Sequence, residues 1–89
     1  MPSFLVESYA ADSQSFLADV RNRARRTAEL GRGIRYVRTT FVPGDETVLH
    51  LFDAPSLDVL QRAGRLAALP FERIVEAVDA AAEPAREDR

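Results

Sequence analysis

Two kinds of hydrophobic spacing alternate along this chain, and their order predicts its fold. Phe4-Leu5-Val6-Glu7-Ser8-Tyr9 is short and rich in residues that suit a pleated surface, so it reads as a first strand. Asp12, Ser13 and Ser15 then offer capping side chains to a helix. Its apolar positions, Phe16, Leu17, Val20, Ala24, Thr27 and Ala28, recur at three and four and define one buried stripe. Asn22, Arg25 and Glu29 lie opposite, and Asp19 with Arg23 and Arg25 with Glu29 have the spacing of surface ion pairs. Gly31 and Gly33 stop that helix. Ile34 to Val42 alternates as a second strand, Pro43-Gly44-Asp45-Glu46 is a turn by composition, and Thr47 to Asp53 completes a hairpin. Ser56 is placed to cap a second helix with Leu57, Val59, Leu60, Ala63, Leu66 and Ala67 on its apolar face. Gly64 in mid-helix costs about 1 kcal/mol relative to alanine, which points to close approach of a strand, a partner or a ligand. Pro70 ends the helix, and Phe71 to Val78 reads as the fourth strand.

The order strand, helix, strand, strand, helix, strand is that of an α+β, ferredoxin-like βαββαβ unit. Right-handed crossovers then give a four-stranded antiparallel sheet in the order 4-1-3-2, with two helices on one face. One domain covers residues 1–79, and residues 80–89 read as a flexible tail.

Two helices leave the other sheet face open. Strand three is apolar on both sides, with Leu49 and Leu51 alternating against Val48, His50 and Phe52. A sheet with one wet face does not show this pattern, so a second copy is expected to cover the open face as a homodimer. We assign Leu49 and Leu51 to the helix side and Val48, His50 and Phe52 to the open side. Phe4 and Val6 are placed toward the helices, with Leu5, Glu7 and Tyr9 on the open side, and alternation adds Tyr36 and Arg38 there. The expected result is one open-face cluster of Glu7, Tyr9, Tyr36, Arg38, His50 and Phe52: an acid, a base, a fixed cation and two phenols beside apolar walls.

Composition narrows the chemistry. Among the 89 residues there is one histidine, His50, and there is no cysteine or tryptophan; every basic residue is arginine. His50 is therefore the residue with an ordinary pKa near neutrality, and it is either a packed histidine satisfied by a neighbour or a ligand or proton carrier. Glu7 and Arg38 read as either a structural ion pair or part of a site. A formal net charge of −2 supplies no pull toward nucleic acid or anionic membrane. No apolar run approaches the ~20 residues of a membrane span. Met1-Pro2-Ser3 leads into a strand pattern rather than a signal peptide, so a cytoplasmic location is expected. The arginines at 21, 23, 25 and 26 scatter around their helix and read as a solvated face.

Several segments resemble a family of small bacterial ferredoxin-like domains of unknown function, some members of which are labelled nickel-binding or nickel-responsive. They are Phe4-Leu5-Val6-Glu7, Gly33 to Val42, Asp45-Glu46-Thr47, Ala54-Pro55-Ser56 and Leu69 to Val78. The resemblance implies the ferredoxin-like fold and dimers. Members of that family often carry a histidine near the position of Arg38 and a cysteine near that of His50; a permanently charged arginine cannot ligate metal. Glu7 and His50 are left as the pair for nickel or another divalent metal.

The leading expectation is a dimeric binding or sensing domain that holds a small ligand or a divalent metal in the open sheet face. The alternatives are a cofactor-independent monooxygenase or isomerase of the dimeric α+β barrel type, with His50 as base and Arg38 stabilising an oxyanion, and a structural or protein-interaction module.

Overall fold

The computed structural model describes residues 1–9 and 14–78, with side chains from Phe16 onward in the second stretch. Of the expected capping residues, Asp12 and Ser13 lie outside the described residues, as does the tail at 80–89, while Ser15 falls inside the first helix rather than at its cap. The elements run β1 (Ser3–Tyr9), α1 (Gln14–Leu30), β2 (Arg35–Val42), a 3-10 turn (Pro43–Asp45), β3 (Thr47–Asp53), α2 (Leu57–Leu66) and β4 (Arg73–Ala77). The strands form one antiparallel sheet ordered β2-β3-β1-β4, as the element order requires. This is the ferredoxin-like α+β fold. Its fourth strand is shorter than the apolar run suggests, because Phe71 turns into the core while the Glu72 amide donates to the Glu7 carbonyl at 2.7 Å.

The α1 stripe buries as its spacing predicts, with Val20, Ala24 and Thr27 fully enclosed. Asp19 and Arg23 pair at 3.0 Å on its outer side. Ser56 caps α2 by accepting from the Val59 amide at 3.2 Å. On α2, Leu60, Ala63 and Gly64 are buried, as is Ala67 at its C-cap, whereas Leu57 and Leu66 stay exposed despite their place in the apolar pattern. A ten-residue helix turns one face to the sheet, and its two end leucines fall outside that face.

Two glycine positions show where backbones meet. A Cβ at Gly31 would stand 2.8 Å from the Ala63 Cβ and collide with Ile34, so α1 ends where it touches α2. A Cβ at Gly64 would meet only the Phe71 ring, at an ordinary 3.6 Å. No close approach from the described residues of the chain itself meets Gly64; the tight contact between elements is at Gly31. The C-terminus of α2 closes with paired hydrogen bonds, Ala68 N–H to the Arg65 carbonyl at 3.0 Å and Leu69 N–H to the Gly64 carbonyl at 2.8 Å. Ala68 thereby takes a φ of 56°, a left-handed position that glycine fills more easily.

The core lies between sheet and helices. Its larger cluster joins Phe4, Val6, Phe52, Ala24, Ile34 and Leu60, and a smaller one joins Val20 and Val48 with Phe16, Leu17 and Phe41.

Candidate functional site

Which side of the sheet each residue faces is settled by pairing. Val6 stands opposite His50, Phe4 opposite Phe52 and Ser8 opposite Val48. All six are buried, so Val48, His50 and Phe52 point toward the helices while Leu49 and Leu51 face outward. This reverses the expected facing of β3. Both alternating sets of that strand are apolar, so its periodicity carries no sign; the partner strand supplies it.

A bulge in β2 makes the second correction. Tyr36 pairs with Phe52 and Arg38 with Leu51, so one extra residue separates them in register. Tyr36 therefore packs on the core, its ring centroid 5.6 Å from that of Phe52, while Arg38 lies exposed on the outer face. Simple alternation places both residues on one side.

The six expected site residues thus divide into two sets. Tyr36, His50 and Phe52 sit on the helix side; Glu7, Tyr9 and Arg38 sit on the open side. Glu7 pairs with Arg73 at 2.7 Å rather than with Arg38. The Tyr9 hydroxyl donates to Glu46 Oε1 at 2.7 Å, and that carboxylate raises the phenol's pKa. Glu7 and His50, the expected metal pair, lie on opposite faces and cannot share an ion within one chain. Among the described residues no group of three or more His, Asp or Glu side chains is placed to hold a metal.

His50 is fully buried, and one hydrogen-bonded chain supports it. Its Nδ1 lies 2.8 Å from Thr39 Oγ1, which lies 2.5 Å from the Tyr36 hydroxyl. Thr39 is absent from the set that alternation predicts, although counting back from the Pro43–Asp45 turn places it across from His50. Nε2 has no hydrogen-bond partner. A bare lone pair costs less there than an unpaired N–H, which favours the proton on Nδ1, donated to Thr39. Burial lowers the His50 pKa from 6.5 to about 4, so the ring is neutral at pH 7. A base for catalysis must reach a reacting atom. His50 lines neither the cleft bounded by Glu7, Ser8, Tyr9, Thr47 and Glu72 nor the groove between the helices.

The open face has its own order. Leu5 stands between Leu51 and Val75, and Leu49 stands between Thr40 and Glu7. The three leucines are half-buried although they belong to the outer layer, and Val75 is 38% exposed. Charges surround this apolar centre: Arg38 beside Leu51, the Glu7–Arg73 pair, and Arg35 within 3.8 Å of Asp53.

No family model and no curated protein matches the chain. A solved structure does, that of SCO4226 from Streptomyces coelicolor A3(2): it shares 16% identity over 89% of this chain and 99% of that one, with a TM-score of 0.69. The likeness is one of fold. Among the described residues no helix is long and apolar enough to cross a membrane.

Proposed function

We propose that this chain is a homodimeric binding module that assembles face to face through its open sheet surface. The observation that carries this reading is the apolar centre formed by Leu5, Leu49, Leu51 and Val75 on the face without helices. Four strands about 4.8 Å apart, with seven residues rising about 3.3 Å each in the central pair, present a face of roughly 19 by 23 Å. Two such faces bury on the order of 1,000 Å², near the lower bound for a stable specific interface. The apolar centre and charged rim also have the layout of a protein interface.

The test is sedimentation equilibrium of the wild type and of Leu51→Arg. The wild type is expected at twice its 9.9 kDa chain mass, and the variant as a folded monomer by circular dichroism. Leu51 is only half-buried within a chain, so the arginine has room to remain in water. A wild type that is monomeric at micromolar concentration, or a variant that stays dimeric, would overturn the proposal.

A further inference from the structure

On the opposite layer, α1 and α2 enclose a second apolar surface that the sheet-face dimer leaves free. A groove of about 230 Å³ runs between the last turn of α1 and the outer side of α2. Its floor is set by the tight Gly31–Ala63 contact, and its walls are Leu30, Val59 and Leu66. Leu66 is 72% exposed and Leu30 42%, so each chain carries two large apolar side chains into water at this one place. Isolated exposed leucines are ordinary; a pair flanking a preformed groove is the arrangement of a docking site.

The charges beside the groove select its occupant. Arg32 lies at the end of α1, is exposed and makes no ion pair among the described residues. Arg62 lies on the α2 side, where exposed Asp58 approaches it at 3.1 Å and offsets part of its charge. Arginine around an apolar centre favours a partner whose apolar side chains are flanked by carboxylates, and opposes one flanked by cations.

We infer that the α1–α2 groove docks a segment of a partner protein that presents apolar side chains flanked by carboxylates. Leu30, Val59 and Leu66 take the apolar side chains, and Arg32 and Arg62 take the carboxylates. The inference stands on the helix layer alone and does not require the sheet-face dimer. Where that dimer forms, it displays two grooves and binds a bivalent partner with avidity.

The test is a titration of the isotope-labelled full chain, followed by amide NMR, with a short synthetic peptide bearing two leucines flanked by glutamates. A second peptide has lysines in place of the glutamates, and a third has serines in place of the leucines. Shifts are expected to concentrate at Leu30–Arg32 and Val59–Leu66, with both control peptides binding about tenfold or more weakly. Leu66→Ser and Arg32→Glu, both at exposed positions, are expected to weaken the first peptide by a similar factor while keeping the fold. Shifts on the sheet face, equal binding of the lysine peptide, or no shifts at millimolar peptide would overturn the inference. So would loss of self-association in Leu66→Ser, which would assign the groove to a second copy.

Discussion

Acidification should destabilise this protein through one buried ring. His50 has a pKa of about 4 in the folded chain and about 6.5 when unfolded, because burial disfavours its charged form. Above pH 6.5 both states hold it neutral, and the ring adds no pH dependence. As the pH falls from 6.5 toward 4, the unfolded chain binds a proton that the folded chain refuses, so stability drops. At 1.36 kcal/mol per pKa unit the loss is about 2 kcal/mol at pH 5 and about 3 kcal/mol below pH 4. That is a large share of the roughly 5–15 kcal/mol that holds a typical small domain folded. His50→Leu removes the titration, and the Thr39 hydroxyl keeps its bond to Tyr36. The assay is urea unfolding of both proteins from pH 7.5 to 4.5 at one protomer concentration. The carboxylates are common to the pair, so the difference between the two stabilities isolates the ring. The advantage of wild type over variant, whatever its sign at pH 7.5, should fall by about 2 kcal/mol at pH 5. A difference that stays constant across this range would refute the argument that His50 is buried and neutral.

Four further outcomes follow from the same geometry. Thr39→Val strips His50 Nδ1 of its partner and should cost about 1–3 kcal/mol in urea unfolding, with Thr39→Ser recovering most of it. Ala68→Gly relieves the left-handed position that closes α2 and should raise stability by about 1 kcal/mol, visible as a higher urea midpoint at unchanged slope. Gly31→Ala should destabilise by about 1–3 kcal/mol through its collision with Ala63 and Ile34. Gly64→Ala, which meets only an ordinary contact in a helix, should be neutral or gain up to about 1 kcal/mol. If Gly64→Ala proved the more damaging of the two, the placement of the helix–helix contact would be wrong.

Periodicity carried most of the fold. The α1 stripe, the Ser56 cap, the hairpin turn and the element order were legible because each depends on residues near one another in sequence, and handedness rules then restrict the sheet order. The site was less legible. Strand β3 is apolar on both faces, so its local pattern cannot say which face meets the helices. That depends on Val6 lying across from His50, a contact between residues 44 positions apart. The β2 bulge sent Tyr36 and Arg38 to opposite sides, and alternation has no means of anticipating one inserted residue. Together these two long-range facts break up the open-face cluster and replace it with a buried Tyr36–Thr39–His50 chain.

The amino-acid sequence by itself therefore determined the elements, their order and the presence of apolar positions on both faces of β3. Those properties follow from local spacing and chain connectivity. Tertiary structure decided the environment of each chemically active side chain: His50 enclosed and neutral, Glu7 tied to Arg73, Arg38 exposed, and Leu66 left in water beside a groove. The physical reason is that burial and pairing belong to the space between elements. The same alternating residues serve as core or as surface according to which neighbour the folded chain sets against them.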